Sequence, residues 1–188
     1  NYYGFTKKCV EENLKWFSRL DRLRFASLRY FNAAGYDRSK KLQGLETKTQ
    51  NLLPLVMEAA AGRRNGIDVY GNDYPTRDGT CIRDYIHVED LARAHVLAVE
   101  HLGERKEDVI VNLGSEKGLT VLEMLEAARR ITGRSIESRI TNRRAGDPPE
   151  LIASSKKARD ILGWQTECSD ADTIIASMWE LYRHGAPG

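Results

Sequence analysis

The sequence predicts an α/β fold built around a parallel sheet. Short apolar stretches typical of strands alternate along the chain with longer amphipathic stretches typical of helices, and this alternation indicates α/β architecture. Two of the strand-like stretches, "RFASLRYF" (24–31) and "VIVNLGS" (109–115), carry apolar residues on both faces, as strands do when helices cover both sides of a parallel sheet. The sequence contains no internal repeat and no low-complexity segment.

The first predicted element is a helix from Tyr3 to about Leu20. Its apolar residues recur at helical spacing: Phe5, Cys9, Val10, Leu14, Phe17 and Leu20. Apolar stripes of this kind are mostly core, so we expect this one in the core, with packing in a dimer as an additional role. The next elements, in chain order, are the strand at 24–31, a turn at "NAAG" (32–35), a polar surface loop (36–49), a helix from Asn51 with Pro54 in its first turn, a short strand at "IDVYG" (67–71) and the turn-rich "NDYPTRDGTC" (72–81).

The second half of the chain continues the alternation. The stretch "IRDYIHVEDLARAHVLAVEHL" predicts a short strand followed by a helix that is capped by Glu89 and Asp90. The later elements are the strand at 109–115, a helix from about Val121 to Thr132, a short strand at "SIESRI" (135–140), a basic loop at "NRRAGDPPE" (142–150) and two helices, about Ser155–Leu162 and Ala171–His184.

Composition limits the classes of partner. The 188 residues contain 29 Lys and Arg against 27 Asp and Glu, a net charge of +2, which gives no reason to expect nucleic acid or an anionic membrane as the main partner. No apolar run approaches the roughly 18 residues of a membrane span, and no signal peptide is recognisable. The three cysteines are odd in number and far apart, which argues against a disulfide framework and favours the cytoplasm.

Tyr3 and Lys7 form the first candidate functional pair. Positions i and i+4 share one face of a helix, and a nearby ammonium favours the phenolate form of tyrosine. The spacing therefore suits Tyr3 to general acid/base chemistry. The alternative interpretation is a surface tyrosine beside a solvated lysine, and the two residues alone leave it open.

Other motifs give negative results. His87, His95 and His101 do not have the H-E-x-x-H spacing of a zinc site, so we assign no metal. Cys81 is interpreted as a small buried residue. No G-x-x-G-x-x-G or G-x-G-x-x-G turn follows a strand, so the pyrophosphate-binding turn of a dinucleotide-binding fold is not in this chain.

Five motifs in fixed order carry a family resemblance: "YYGFTKK", "LRYFNAAG", "NLLPLV", "DGTCIRDYIHVEDLARAH" and "RRAGD". Together they resemble the extended short-chain dehydrogenase/reductase family, and within it the nucleotide-sugar 4-epimerases. The resemblance runs over almost the whole chain and corresponds to the C-terminal half or more of such an enzyme. It implies that residues 1–35 are the end of an NAD-binding Rossmann domain and that 36–188 are mainly a substrate-binding domain, with about 84–115 returning to the Rossmann sheet.

The resemblance also implies an activity. The expected reaction interconverts UDP-galactose and UDP-glucose by NAD-dependent hydride removal and return at sugar C4, through a 4-keto intermediate. Tyr3 would be the acid/base, and Lys7 would bind the nicotinamide ribose. A Ser or Thr and the glycine-rich turn would lie before residue 1, so we expect this chain to be part of a larger enzyme and to be inactive alone. The whole enzyme would be a cytoplasmic homodimer, with the first helix at its interface.

Further roles follow residue by residue from the resemblance. It places Tyr30 and Phe31 at the cofactor, and it places the UDP-sugar ligands at Asn32, Asn51, Leu52, Val69, Tyr70, Arg83, Arg144, Asp147 and Leu151. Simpler interpretations exist: Asn32 as a turn former, Arg83 in an ion pair with Asp84, and the "RR" pair as solvated surface.

By the same resemblance, Leu151 matches the sugar-pocket position at which a bulky aromatic residue excludes N-acetylated sugars and a small residue admits them. A residue of intermediate size predicts use of UDP-glucose and UDP-galactose with at most weak N-acetyl activity. Two rival functions are a nucleotide-sugar dehydratase or decarboxylase, and a non-catalytic nucleotide-sugar-binding protein of the same fold.

Overall fold

The computed structural model describes residues 2–21, 23–42, 44–45 and 50–184. Within these ranges the chain forms six helices: α1 (Tyr2–Arg19), α2 (Leu52–Ala60), α3 (Val88–Arg105), α4 (Val121–Thr132), α5 (Lys156–Leu162) and α6 (Ala171–Tyr182). The same ranges contain nine strands: β1 (Ala26–Arg29), β2 (Asn32–Ala34), β3 (Ile67–Tyr70), β4 (Ile82–Arg83), β5 (Tyr85–His87), β6 (Val109–Asn112), β7 (Leu119–Thr120), β8 (Ser138–Thr141) and β9 (Glu150–Leu151). No helix among the described residues is both long and apolar enough to cross a lipid bilayer.

Parallel pairing dominates the strands. Strand β1 pairs with β6, β2 with β5 and β3 with β8, all in parallel. Strand β4 lies between β9, which is parallel to it, and β7, which is antiparallel. Parallel strands with intervening helices are the predicted α/β architecture, and the β1–β6 pair joins the two stretches that the sequence predicted as buried strands.

Two apolar clusters form the core of the described chain. The larger one lies between α2, α4, α6 and β3. The smaller one lies between α3, α5 and β6 and includes Trp164, which is completely buried. The indole N–H of Trp164 donates to the Asp90 carbonyl at 2.8 Å, so this cluster ties the start of α3 to the C-terminal part of the chain.

The apolar stripe of α1 is not core, contrary to the prediction. Phe5 is 62% exposed and Phe17 is 52% exposed, and the only buried residue of the helix is Glu11. The Glu11 carboxylate accepts hydrogen bonds from the Ser27 hydroxyl at 2.6 Å and from the Arg29 guanidinium. A polar contact, rather than apolar packing, therefore attaches α1 to β1.

Three other predictions of local structure need correction. "NAAG" is not a turn: Asn32–Ala34 is strand β2, held by the β5 ladder, and the chain turns only at Gly35, whose φ is +82°. The cap of α3 is neither Glu89 nor Asp90 but His87, whose Nδ1 accepts the Glu89 N–H at 3.1 Å. Helix α6 ends at Tyr182 and not at His184.

Asp84 and Asp90 are buried carboxylates that join distant segments. Asp84 accepts from the Ser115 N–H at 2.8 Å, the Ser115 hydroxyl at 2.6 Å and the Ala153 N–H at 3.1 Å. Asp90 accepts from the Ser169 hydroxyl at 2.6 Å and from the N–H groups of residues 167 and 168. Because Asp84 stands between β4 and β5, its anchoring fixes both strands.

Candidate functional site

Tyr3 and Lys7 share one face of α1, as the spacing predicts. The Lys7 ammonium lies 5.3 Å from the centroid of the Tyr3 ring. Tyr3 is 69% exposed, so within the described residues this pair is open to solvent. The geometry suits proton exchange with a ligand that approaches this face of the helix.

A cavity of about 710 Å³ brings together four of the predicted site residues from two segments. Phe31 and Asn32 reach it from the end of β1 and the start of β2, and Asn51 and Leu52 reach it from the start of α2. Ligands of parallel α/β proteins bind at the carboxyl ends of strands, and the N–H groups at a helix start favour phosphate. The cavity therefore combines two features that suit a phosphorylated ligand.

Asn32 is held in place by strand pairing and by its own side chain. Its backbone lies opposite Tyr85 in the β2–β5 ladder. Its side-chain amide donates to the Asp84 carbonyl at 2.9 Å. The interpretation of Asn32 as a turn former is wrong, because it belongs to a strand.

A second group of predicted residues converges beside strands β3, β4 and β9. The Arg83 guanidinium pairs with the Asp147 carboxylate, and the Arg144 guanidinium lies 4.0 Å from the centroid of the Tyr70 ring. In the β4–β9 ladder Arg83 lies opposite Leu151. The alternative pairing of Arg83 with Asp84 is wrong, since Asp84 binds Ser115 and Ala153 instead. Val69, also predicted here, is buried in β3 next to Tyr70.

Arg143 supports this second group and was missed by the sequence analysis. Its guanidinium bonds the Asp73 carboxylate at 2.5 Å and lies 4.1 Å from the centroid of the buried Tyr74 ring. Gly71, with φ +85°, leaves room for it, because a Cβ there would lie 2.6 Å from the Arg143 Cγ. The loops after β3 and β8 are therefore locked together beside Tyr70 and Arg144.

One cluster of side chains in the described part of the chain could in principle bind a metal ion. The ligand atoms of His87, Glu89 and Cys168 lie within 4.8 Å of one another. His87 already contacts the Glu89 N–H and the Ser177 hydroxyl, and Glu89 pairs with Arg38. Burial raises the pKa of the Cys168 thiol to about 11, so Cys168 is not the thiolate that binds metals. The group is satisfied within the protein.

Tyr85 also lines the 710 Å³ cavity, and no sequence pattern distinguished it. It is 5% exposed. Burial raises the pKa of Tyr85. The nearby Cys81 raises it further, and the positive charge of Arg83 lowers it by a smaller amount. The Tyr85 phenol is therefore neutral at physiological pH.

Comparison with known proteins decides the family. Residues 1–114 match the NAD dependent epimerase/dehydratase family. The chain belongs to this family. A UDP-glucose 4-epimerase from Lacticaseibacillus casei is 43% identical over all 188 residues, which cover 57% of that protein.

Solved structures agree with this family. The structure of a UDP-glucose 4-epimerase from Brucella ovis in complex with NAD matches with a TM-score of 0.92 and 48% identity, over 96% of this chain and 56% of that one. The structure of a UDP-glucose 4-epimerase from Bifidobacterium longum in complex with NAD+ and UDP matches with a TM-score of 0.87 and 38% identity, over 96% and 54%. The predicted Rossmann-type α/β fold is confirmed, and the chain spans a little over half the length of the relatives it matches.

Proposed function

We propose that this chain is the C-terminal part of an NAD-dependent UDP-glucose 4-epimerase that interconverts UDP-galactose and UDP-glucose. The observation that carries the proposal is the convergence of residues that are far apart in sequence: Phe31, Asn32, Asn51 and Leu52 around one cavity, and Tyr70, Arg83, Arg144, Asp147 and Leu151 beside β3, β4 and β9. The similarity to UDP-glucose 4-epimerases over the whole chain supports the same function.

The residues present fit the nicotinamide end of NAD. Tyr30 and Phe31 follow β1 at its carboxyl end and are both about half exposed, which is where parallel α/β folds bind dinucleotides. Lys7 would bind the nicotinamide ribose. NAD, when bound, would accept hydride from sugar C4 and return it.

Tyr3 would move the proton in this reaction. Its phenolate takes the proton from the sugar 4-hydroxyl as the C4–H bond gives up hydride, and the substrate becomes a 4-keto sugar. The sugar then turns over, so that hydride returns to the opposite face of C4 while Tyr3 gives the proton back to the oxygen. Lys7 lies one helical turn away on the same face of α1.

The nucleotide must be held tightly while the sugar turns. Arg83 and Arg144 would bind the diphosphate, for which the guanidinium fork is suited, and Asp147 would accept from ribose hydroxyls. Asn32, Asn51 and Leu52 would contact the diphosphate, and Val69 and Tyr70 would flank the uracil. Leu151 would line the sugar pocket.

The division of the chain follows from these roles. We propose that residues 1–35 complete the NAD-binding domain and that 36–188 mainly bind the UDP-sugar, with about 84–115 returning to the Rossmann sheet; the β1–β6 pairing supports this. We also propose a homodimer, because the exposed apolar residues of α1 need a cover. A cytoplasmic location is proposed because the three cysteines are odd in number and far apart. Light scattering of the full-length protein tests the dimer, and a monomeric mass would contradict it.

The test of function is product analysis with the full-length protein of which this chain would be a part. Incubation of UDP-galactose with NAD+ should give UDP-glucose with no net reduction of the cofactor. A 4-keto-6-deoxy product would identify a dehydratase, release of CO2 from a UDP-uronate would identify a decarboxylase, and binding without turnover would identify a non-catalytic protein. Each of these results would contradict the epimerase.

A further inference from the structure

Tyr74 and Tyr85 are buried tyrosines whose hydroxyls have no hydrogen-bond partner among the residues that the structure describes, but their surroundings differ. The Tyr74 hydroxyl is sealed from solvent and has no partner among the described residues. The Tyr85 hydroxyl also receives no hydrogen bond from the described residues, yet it is not sealed. Tyr85 lines the 710 Å³ cavity, whereas Tyr74 does not. Buried polar groups are normally hydrogen-bonded, so the Tyr85 hydroxyl is a donor that a ligand in the cavity can satisfy.

The Tyr85 ring is held rigidly. It packs in the larger apolar cluster, and its backbone pairs with Asn32, which lines the same cavity. The preceding residue, Asp84, is completely buried and binds two other segments. A donor on such a support needs little reorganisation when it binds.

The charge state of Tyr85 suits a donor and not a base. Because burial raises the pKa of Tyr85, its hydroxyl keeps its proton throughout the physiological range. This behaviour is opposite to the one that the proposed role of Tyr3 requires. The two tyrosines can therefore serve one ligand in different ways, one as a fixed donor and the other as an acid/base.

The acceptor is identified by the neighbours of Tyr85. Arg83, two residues earlier, is close enough for its charge to act on the Tyr85 phenol. Asn51 and Leu52, at the start of α2, line the same cavity. A guanidinium and a helix start both favour phosphate, so phosphate is the acceptor that these neighbours favour for the Tyr85 hydroxyl.

We propose that Tyr85 is a substrate-binding residue whose hydroxyl donates a hydrogen bond to a phosphate oxygen of the nucleotide sugar. This inference rests on the proposed function and adds a ligand to it. No covalent step is involved, and Tyr85 takes no part in the proton transfer assigned to Tyr3.

The test compares Tyr85→Phe with Tyr74→Phe in the full-length protein. Calorimetry with UDP and with UDP-glucose should show that Tyr85→Phe weakens both ligands equally, by roughly 10- to 100-fold, as expected for a lost hydrogen bond to a charged group. The melting temperature should not fall, since the hydroxyl has no partner among the described residues. Tyr74→Phe also removes an unpartnered hydroxyl, but away from the cavity, and should leave both affinities unchanged.

Three results would overturn the inference. If Tyr85→Phe binds UDP as tightly as wild type, the proposed hydrogen bond does not exist. If only the affinity for UDP-glucose falls, the hydroxyl binds the sugar and not the phosphate. If the melting temperature falls enough to account for the lost affinity, the role of the hydroxyl is structural. The wild-type protein keeps the two proposals separate. If the wild type interconverts UDP-galactose and UDP-glucose while Tyr85→Phe binds UDP normally, only the inference about Tyr85 fails. If the wild type does not bind UDP at all, both the proposed function and this inference fail.

Discussion

The two ends of the proposed active site differ in how they are supported within this chain. Helix α1, which carries Tyr3 and Lys7, has one buried residue, Glu11, and is attached to β1 through hydrogen bonds. The region around Arg83, Arg144 and Asp147 is instead fixed by strand ladders, by arginines stacked on tyrosine rings and by the buried carboxylate of Asp84. The residues that would anchor the nucleotide are thus assembled by this chain, whereas the residues that would move the proton stand on a helix with little packing of its own.

Tyr3→Phe should have the largest effect. It removes one oxygen from an exposed side chain, so binding and folding should be nearly unchanged. The kcat of the full-length protein should fall on the order of 10²–10⁴-fold, the range for one positioned proton-transfer group. Tyr2→Phe, on the neighbouring position of α1, is the matched control and should keep full activity. A Tyr3→Phe enzyme within about threefold of wild type would remove Tyr3 from this role.

Asp90→Asn tests the packed region. Burial opposes ionisation of Asp90, but hydrogen bonds led by that from Ser169 outweigh it and lower its pKa. The loss of this buried carboxylate should cost about 3 kcal/mol in the free energy of unfolding at pH 7. Because the pKa is lowered on folding, this contribution is complete above about pH 4 and disappears as the pH falls through the folded-state pKa.

Urea unfolding of the full-length protein at pH 7 and at pH 3 measures this difference. The control is Asp172→Asn, which breaks an exposed pair with Arg130 and should cost less than about 1 kcal/mol. Equal effects of the two substitutions would show that the Asp90 network is not a support of the fold.

The sequence predicted elements and converging residues better than it predicted burial. The spacing in α1 and the motif around Arg83 were sufficient to predict helices and strands, because periodicity and local motifs act over short distances. The exposure of Phe5 and Phe17 was not predictable, since the same stripe can face a core, another domain or a second subunit. Strand β2 was missed because its ladder partner, Tyr85, is more than fifty residues away. The anchoring bonds of Asp84 and Asp90 are invisible in sequence for the same reason.

The isolated chain should bind the ligand of one end of the proposed site, UDP, and not the ligand of the other end, NAD+. Arg83, Arg144 and Asp147 are already together, so UDP should bind, though weakly. NAD+ should not bind detectably, because the chain has no glycine-rich turn for its pyrophosphate and the nicotinamide contacts are too few to offset the entropy of association.

Calorimetry of the purified chain with each ligand makes this comparison. An affinity for UDP at least about tenfold above that for NAD+ is expected. Arg144→Ala should abolish the UDP signal, and Arg130→Ala, on the exposed surface of α4, should preserve it. Micromolar NAD+ binding by the chain would show that this division of the site is wrong.

Glu11→Gln should loosen α1 without changing the nucleotide region. The hydrogen bond from Arg29 is the main reason that the pKa of Glu11 is lowered to about 2. A loss of about 1–2 kcal/mol is expected at pH 7, and the difference from wild type should vanish between about pH 4.5 and pH 2, where the carboxylate is protonated. Glu12→Gln, which removes an exposed pair with Lys15 on the same helix, is the control. Hydrogen exchange should be faster in α1 and unchanged in β3, and faster exchange in both would contradict the separation of the two regions.

Leu151 should give the smallest effect, because it acts on the choice of sugar and not on the reaction. It lies opposite Arg83 in the β4–β9 ladder and is half-buried, so under the proposed function its size would set the space next to the diphosphate. The wild-type enzyme should use UDP-galactose with at most weak activity on UDP-N-acetylgalactosamine. Leu151→Ala should raise the rate with UDP-N-acetylgalactosamine, relative to the rate with UDP-galactose, by roughly threefold to tenfold, because the loss of a few methyl or methylene groups from a pocket changes selectivity by about that amount. Leu151→Tyr should lower this ratio. Ile152→Ala is the control, because Ile152 follows β9, is exposed and lies beside Gly118; it should leave the ratio unchanged. Equal wild-type rates on both sugar pairs would show that Leu151 does not limit the pocket.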